Sequence, residues 1–294
     1  MGEIVIDIAG LKKSFGKNAV LEGVDLRVPR GAIVGLMGMN GSGKSTLIKC
    51  LLGLLDVDGG QSRVFGSDSA NLSPEVKGRL GYVPQVVYLY AWMKVRHVIA
   101  YTSTFYSNWD DAWTSELAAR WRVPLDERVQ SLSTGQLQTL AIVLAVGHRP
   151  ELLVLDEPVA SLDPIARRDF LKSLLEMTAE GTRTALFSTH ISSDLERVAT
   201  HVAVLRGGVI AHFSELDELK DRVKRLRLRT HGAFPADFEV PGSLRTIVQG
   251  DSALAAVADV TPELLDELRD RWHAEVRVED LNLEEIFMEL NGYV

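Results

Sequence analysis

The segment Leu132-Ser133-Thr134-Gly135-Gln136 stands about 20 residues before Leu152-Leu153-Val154-Leu155-Asp156-Glu157-Pro158. In the first segment, Ser133 is a residue type that caps helix N-termini, and the apolar run at 136–146 follows a helical pattern. In the second segment, a buried strand is predicted to end at Asp156, where an uncompensated carboxylate would be unfavourable. The two segments therefore predict a helix N-terminus that faces an anion and a strand end that faces a cation.

A glycine-rich loop, Gly38-Met39-Asn40-Gly41-Ser42-Gly43-Lys44-Ser45, follows a continuous apolar run and precedes a helical stretch. Strand, loop and helix in this order match the Walker A pattern, in which backbone N–H groups and the positive end of the helix surround phosphate oxygens. Lys44 is predicted to contact the β- and γ-phosphates, Ser45 to ligate Mg²⁺ and Thr46 to contact the α-phosphate. The predicted nucleotide-binding residues of this loop are Gly38, Asn40, Gly41, Ser42, Gly43, Lys44, Ser45 and Thr46.

Two adjacent carboxylates, Asp156 and Glu157, are predicted to serve different parts of nucleotide hydrolysis. Asp156 is interpreted as the Walker B acid, because a magnesium ion would compensate its charge at the end of a buried strand. Glu157 lies where the chain turns, and it is predicted to orient or deprotonate the attacking water. The alternative is that both acids merely close a strand, but the glycine-rich loop upstream favours catalysis. ATP and Mg²⁺ are the predicted cofactors.

The fold is predicted to be α/β, with an insertion in its first domain. Residues 4–8 and 24–28 alternate like strands, and residues 202–210 are typical of a hairpin because Gly-Gly suits a primed turn. Residues of about 86–140 carry four of the five tryptophans and include a predicted amphipathic helix. They are predicted to form a helical subdomain inserted into a mixed-sheet core.

The pattern restarts after about residue 215, where Arg225-Leu226-Arg227-Leu228-Arg229 alternates like a half-exposed strand. The sequence therefore predicts an ATPase domain at 1–214 and a small C-terminal α+β domain at 215–294. The first range holds 22 acidic and 22 basic side chains, and the second holds 18 acidic and 10 basic. This balance argues against nucleic-acid binding. Apolar runs fall short of the roughly 18–20 residues that cross a bilayer, so we expect another chain to supply any membrane span.

These segments resemble the ATP-binding cassette family over roughly residues 3–215, which implies its P-loop NTPase-type fold. Gln85, in Tyr82-Val83-Pro84-Gln85, resembles the Q-loop glutamine, which touches Mg²⁺ or the attacking water. His190, in Ser188-Thr189-His190, resembles the switch histidine that contacts the γ-phosphate. Phe15 resembles the aromatic residue that stacks on adenine. The resemblance implies Glu157, His190, Gln85 and Lys44 as catalytic residues, and Ser45, Gln85 and Asp156 as Mg²⁺ ligands.

The resemblance also implies a dimer, because Leu132–Gln136 matches the family signature that binds the γ-phosphate held by the other subunit. Ser161-Leu162-Asp163 resembles the D-loop. Ser133, Gly135, Gln136 and Asp163 are therefore expected to bind ATP in trans. The family usually has glycine where this chain has Thr134, and we expect a side chain there to limit positive φ and to narrow the approach to phosphate.

The family resemblance implies an ATP-hydrolysing subunit that powers a membrane transporter by ATP-driven dimer closure. The segment Leu283-Glu284-Glu285-Ile286-Phe287 is similar to exporter-class subunits for drug, antibiotic or similar cargo. The expected assembly is a homodimer or heterodimer of ATPase subunits with separate integral membrane permease chains, at the cytoplasmic face of the membrane. The alternative is a soluble regulatory ATPase of the same family that acts on a protein partner. A generic P-loop kinase or GTPase is disfavoured because such proteins have no use for the signature.

Overall fold

The structure is a computed structural model that describes residues 2–179, 181–235 and 237–291. The chain divides into two compact units, Met1–Phe213 and Ser214–Val294. No helix in the described ranges is long and apolar enough to cross a membrane.

Among the residues described, the first unit combines two sheets with seven α-helices and two short 3₁₀ helices, Ser69–Asn71 and Val129–Ser131. Its strands are β1 (Ile4–Phe15), β2 (Asn18–Pro29), β3 (Ile33–Met37), β4 (Gly59–Val64), β5 (Ser67–Asp68), β6 (Leu80–Val83), β7 (Leu152–Asp156), β8 (Thr184–Ser188), β9 (His201–Arg206) and β10 (Val209–Glu215). Its helices are α1 (Lys44–Leu51), α2 (Pro74–Lys77), α3 (Val95–Ser103), α4 (Asp111–Arg120), α5 (Thr134–Val146), α6 (Pro164–Thr178) and α7 (Ser192–Val198).

The larger sheet explains why distant motifs meet. Its order is β10-β9-β3-β8-β7-β6, and the pairs from β9 to β6 are parallel. Strands β3, β7 and β8 are buried at every residue, as their continuous apolar runs predict for central parallel strands. Since the carboxyl ends of parallel strands lie at one edge, this order brings together the glycine-rich loop after β3, Glu157 after β7 and His190 after β8.

The smaller sheet of this unit is antiparallel, in the order β2-β1-β4-β5. The residues predicted as strands at 4–8 and 24–28 lie within β1 and β2, which are each 12 residues long. Apolar side chains of both sheets and of α1 form one core, which includes Ile6, Leu36 and Ile48, all fully buried. The mixed α/β fold is therefore confirmed. The predicted hairpin is also present, with Gly207 and Gly208 at φ of 57° and 74°.

Helices α3, α4 and α5 lie between β6 and β7, within the segment where a helical subdomain is predicted. Asp110 caps α4 by accepting the N–H of Trp113 at 2.8 Å. The α5 helix continues past residue 140 to Val146. At its end, buried His148 stacks on Tyr106 with ring centroids 3.9 Å apart, and its Nε2 lies 2.9 Å from the carbonyl oxygen of Leu80. These contacts link the end of the α5 segment to the strand that precedes Gln85.

The second unit is an antiparallel sheet with helices. Its elements are α8 (Leu216–Arg222), β11 (Val223–Arg229), β12 (Ser243–Gln249), β13 (Ser252–Ala258), α9 (Pro262–Trp272), β14 (Glu275–Asp280) and α10 (Leu283–Asn291). The strand order is β12-β13-β11-β14. Alternation in β11 buries Leu226 and Leu228 in a core with Phe234 and Phe238, whereas Arg225 on the other face pairs with Glu285 of α10 at 2.9 Å.

Candidate functional site

A cavity of ≈ 470 Å³ lies where the loops after β3, β7 and β8 meet. It is lined by Val20, Asn40, Gly41, Gly43, Lys44, Ser45, Thr46, Gln85, Glu157, Ala160 and His190. Except for Val20 and Ala160, each of these residues is predicted from the sequence to bind nucleotide or act in catalysis. The structure thus brings the glycine-rich loop, Gln85, Glu157 and His190 into one cavity.

The glycine-rich loop has a conformation that only small residues permit. Gly43 has φ of 103°, and a Cβ atom there would approach Val20 Cγ1 at 3.0 Å. A Cβ atom at Gly38 would lie 2.5 Å from Ser42 Oγ. The Ser42 hydroxyl is buried and has no hydrogen-bond partner among the described residues. A buried hydroxyl in this condition is unfavourable, and an oxygen-rich anion in the loop would fit it.

Lys44 supplies a buried positive charge at the first position of α1. Its side chain is 7% exposed, and its Nζ donates to the carbonyl oxygens of Gly38 at 2.7 Å and Met39 at 3.1 Å. Burial lowers the pKa of Lys44, while the carboxylates of Glu157 and Asp156 act in the opposite direction. An ammonium has three N–H donors, so two carbonyl acceptors leave one for a phosphate oxygen.

Two carboxylates lie at the end of β7 in different environments. Asp156 is 1% exposed and accepts a hydrogen bond from Ser188 Oγ at 2.7 Å. Glu157 has φ of 52°, which is strained for a residue other than glycine, and it is 7% exposed. The N–H of Glu157 donates to Ser188 Oγ at 2.9 Å. One hydroxyl therefore fixes both the side chain of Asp156 and the backbone of Glu157.

Ser188 is a residue that sequence reasoning did not assign to the site. It lies opposite Asp156 in the parallel register of β7 and β8. A polar residue that follows the apolar run Ala185-Leu186-Phe187, directly before Thr189 and His190, was the available signal. The contact of Ser188 with Asp156 depends on the pairing of β7 with β8, which the sequence pattern does not specify.

His190 and Glu157 are in direct contact. His190 Nδ1 lies 2.9 Å from Glu157 Oε2, while the imidazole side chain is 54% exposed. Lys44 Nζ lies 3.9 Å from the other carboxylate oxygen of Glu157. The Glu157 carboxylate is thus held between an ammonium and an imidazole at the cavity wall, where it can accept a proton from a bound water.

The predicted magnesium ligands offer oxygen donors of the kind a hard cation prefers. Ser45 and Gln85 line the cavity, whereas Asp156 is buried at the end of β7 and is not among the lining residues. Among the described residues, no group of three His, Cys, Asp or Glu side chains is arranged to hold a metal ion. A hydroxyl, an amide oxygen and a carboxylate suit Mg²⁺, which in such sites is also bound by phosphate oxygens of the nucleotide.

Phe15 is placed differently from the other predicted nucleotide-binding residues. It ends β1 with 51% of its surface exposed and lies outside the described residues that line the cavity. Lys13 Nζ lies 5.7 Å from its ring centroid. The apolar side chains of Val20 and Ala160 line the cavity instead. Adenine stacking on Phe15 stays a prediction.

The residues predicted to act in trans lie in a separate groove of ≈ 710 Å³, which we call the signature groove. Ser133 caps α5 by accepting the N–H of Gln136 at 3.2 Å, and Gln136 Oε1 accepts the N–H of Ser133 at 2.9 Å. Asp163 caps α6 by accepting two N–H groups, from Ile165 at 2.9 Å and Ala166 at 3.0 Å. Ser133, Gly135, Gln136 and Asp163 all line this groove, and none of them lines the first cavity.

The backbone at Thr134 has the conformation that a residue with a side chain favours. Thr134 is the first residue of α5, and it is not among the described residues with positive φ, so its side chain does not conflict with the backbone. The capping box imposes a helical conformation at this position. The glycine that close packing requires is Gly135, because a Cβ atom there would lie 2.9 Å from the Ser161 carbonyl oxygen. Whether Thr134 narrows the approach to phosphate stays a prediction.

Sequence comparison finds full-length relatives. Residues 21–160 match a family model described as ABC transporter. The chain is 31% identical to Nod factor export ATP-binding protein I of Rhizobium sp. (strain N33), covering 99% of this chain and 98% of that protein. It is 28% identical to the ABC transporter ATP-binding protein YtrB of Bacillus subtilis (strain 168), covering 97% of each chain.

Solved structures resemble the chain over about three quarters of its length. An ATP binding subunit of an ABC transporter matches with a TM-score of 0.68 and 28% identity, covering 74% of this chain and 92% of that one. A bacterial Atm1-family ABC exporter with ATP bound matches with a TM-score of 0.65 and 24% identity, covering 74% of this chain and 40% of that one. The second similarity supports the fold alone.

Proposed function

The chain belongs to the ABC transporter family as an ATP-binding subunit, and from this premise we propose that it hydrolyses ATP to power a membrane exporter, working in a dimer of ATPase subunits. The observation that carries the proposal is the division of its phosphate-facing groups between two surfaces. The first cavity holds Lys44, Glu157 and His190, and the signature groove holds Ser133 and Gly135. Two chains in opposed orientation would complete each cavity with the other chain's groove.

ATP binding in the first cavity rests on Lys44 and the backbone N–H groups of the glycine-rich loop. Ser45, Gln85 and Asp156 would hold Mg²⁺, which, when bound, neutralises charge on the phosphates. Lys44 would exchange contacts with loop carbonyl oxygens for contacts with phosphate oxygens. This arrangement provides positive charge without a large movement of the buried side chain.

Glu157 would orient the attacking water and accept its proton. Its carboxylate lies 3.9 Å from Lys44 Nζ at the wall of the first cavity, within reach of a water bound there. His190 would hold the same carboxylate through the 2.9 Å contact at Oε2 and present its other ring nitrogen to the γ-phosphate. The strained backbone of Glu157 supports this assignment, because such strain is concentrated at functional sites.

The signature groove would act on the γ-phosphate of ATP held by the partner chain. The N-terminus of α5 presents N–H groups and the Ser133 hydroxyl, and the side chain of Ser133 is exposed. Because Gly135 lets the backbone of Ser161 approach closely, the signature and the D-loop form one surface. Hydrolysis would then separate the two chains by removing the anion that both hold.

A surface of the helical subdomain supports docking to separate permease chains. Tyr90, Trp92, Tyr101 and Phe105, which we call the aromatic surface, are exposed by 52%, 67%, 44% and 67%. Successive rings from Trp92 to Phe105 have centroids 5.1–6.2 Å apart. Exposed aromatic clusters mark interaction sites. One relative is a Nod factor export ATP-binding protein and one similar structure is an ATP binding subunit of an ABC transporter, so we assign this surface to an apolar segment of a permease.

Steady-state ATP hydrolysis by the purified chain tests the enzymatic part. We expect the rate per chain to rise with protein concentration, because dimers carry the activity, and to fall at least about 100-fold in Glu157→Gln. A rate independent of concentration, or an active Glu157→Gln variant, would contradict the proposal.

The transport part is tested in membranes of the native host. We expect the tagged chain to sediment with membranes and a photo-crosslinker at position 92 to capture a multi-span membrane protein. Trp92→Ala should lose this association. The matched control is Tyr88→Ala, at an exposed aromatic residue outside the aromatic surface, and it should retain the association. Recovery of the wild-type chain only in the soluble fraction, with normal ATPase activity, would favour a regulatory ATPase instead.

A further inference from the structure

Two chain segments leave the sheet edge beside each other and are joined at two levels. The first runs from β7 through Glu157 and the D-loop into α6, and the second runs from β8 through His190 into α7. Near the sheet they are joined by the 2.9 Å contact between His190 and Glu157. Farther out, Arg167 of α6 pairs with Asp194 of α7.

The outer pair joins a buried carboxylate to a partly exposed guanidinium, and only one carboxylate oxygen is satisfied. The side chain of Asp194 is 3% exposed and that of Arg167 is 27% exposed. Arg167 Nε and Nη2 lie 2.7 and 2.6 Å from the same oxygen, Asp194 Oδ1. Asp194 Oδ2 is buried and has no hydrogen-bond partner among the described residues. Desolvation makes such a pair a poor source of stability, and apolar residues of similar volume often serve the fold as well. Its placement therefore indicates a geometric role.

Each partner is tied by short contacts to a group of the proposed site. The N–H of Arg167 donates to the carbonyl oxygen of Asp163 at 2.9 Å, and Asp163 lines the signature groove. The N–H of Asp194 donates to the carbonyl oxygen of Ile191 at 3.2 Å, one residue after His190. These contacts connect the D-loop, through one ion pair, to the segment that carries His190.

We propose that Arg167 and Asp194 are positioning residues that keep His190 against Glu157 when a partner chain contacts the D-loop. This inference rests on the proposed ATPase function. Without the pair, α6 and α7 would respond independently to the partner, and the imidazole would no longer hold the Glu157 carboxylate. ATP binding by the glycine-rich loop would be unaffected, since neither residue lines the first cavity.

The test compares Arg167→Met, Asp194→Leu and the double variant by thermal denaturation and steady-state ATPase kinetics. Each single variant removes one charge and leaves the other member of the pair without its partner, so we expect both variants to have lower melting temperatures. The double variant removes both charges and should recover the wild-type melting temperature. Its kcat should nevertheless stay at least about tenfold low, with KM for ATP within about threefold of wild type.

Two further variants keep the test decisive if the double variant does not fold. Arg167→Lys retains the charge but loses the planar donor pair, and we expect its kcat to fall several-fold while KM and melting temperature are retained. Arg168→Met, at the exposed neighbouring position on α6, is the matched control and should match wild type.

A double variant with both stability and kcat restored, or an Arg167→Lys variant with wild-type kcat, would overturn the inference and leave the pair as part of the fold. Absence of ATP hydrolysis by the wild-type chain would instead overturn the proposed function.

Discussion

Replacing Ser188 by alanine is expected to impair catalysis, while ATP should still bind in the first cavity. The hydroxyl donates to Asp156 Oδ1 at 2.7 Å and accepts the N–H of Glu157 at 2.9 Å. The carbonyl oxygen of Ser188, at 3.2 Å from the same N–H, would remain. The variant therefore loses a charged hydrogen bond completely and a backbone hydrogen bond in part.

The magnitude follows from the burial of both partners. A hydrogen bond to a charged group contributes about 1.5–3 kcal/mol, and leaving its buried partner unsatisfied costs a similar amount. We expect the free energy of unfolding to fall by about 1–3 kcal/mol. If the same loss appears in the transition state for hydrolysis, kcat falls about 10- to 100-fold, because about 1.4 kcal/mol corresponds to a tenfold change in rate.

Two assays separate these effects. Chemical denaturation gives the loss of stability, and steady-state ATPase kinetics give kcat and KM. The matched control is Ser62→Ala. Ser62 is 5% exposed, and its hydroxyl is hydrogen-bonded to that of Ser69 at 2.9 Å. Neither serine lines the first cavity. It should lose stability and keep kcat within about twofold. Wild-type kcat in Ser188→Ala would refute the view that this hydroxyl fixes the two carboxylates.

Two other substitutions test separate features of the site and its support. Thr134→Gly should change the ATPase rate by less than about threefold, because position 134 already has helical geometry. It should lower the free energy of unfolding by about 0.5 kcal/mol, since glycine is unfavourable in a helix. A sharply faster variant would show that the Thr134 side chain restricts approach to the phosphate. Burial lowers the pKa of His148, so the unfolded chain binds its proton first as the pH falls. The contribution of the neutral ring to stability is thus present above the unfolded pKa of about 6.5 and is lost as the pH falls toward the folded pKa. His148→Phe should therefore show a smaller loss of melting temperature between pH 7 and pH 5 than wild type, and equal pH dependence would contradict this.

The first cavity was largely predictable because its residues follow local rules. A buried strand, a glycine-rich loop and a helix N-terminus specify a phosphate site within one short segment. Continuous apolar runs identified β3, β7 and β8, and parallel pairing brought their carboxyl ends together. Hence Lys44, Glu157 and His190 lie at one cavity, although they are far apart in sequence.

Features that depend on contacts between distant segments were harder to predict from the sequence. The role of Ser188 depends on the register between β7 and β8, which no local pattern states. The requirement for glycine at Gly135 depends on its contact with Ser161, which belongs to a distant segment. The effect of the Thr134 side chain on the approach to phosphate stays a prediction. The direction of the Phe15 ring depends on packing at a strand end, so its assignment to adenine stays a prediction.

The most direct test of the central claim is the mass of the Glu157→Gln variant in solution, measured by light scattering with and without ATP and Mg²⁺. We predict a monomer without nucleotide and a dimer with it, because slow hydrolysis should trap each ATP between one chain's glycine-rich loop and the partner's signature groove. Adding Ser133→Asp should abolish the dimer, since aspartate caps α5 but repels the phosphate, whereas Ser133→Asn should retain it. A Glu157→Gln variant that binds ATP and remains monomeric, or a dimer that Ser133→Asp leaves intact, would contradict the claim.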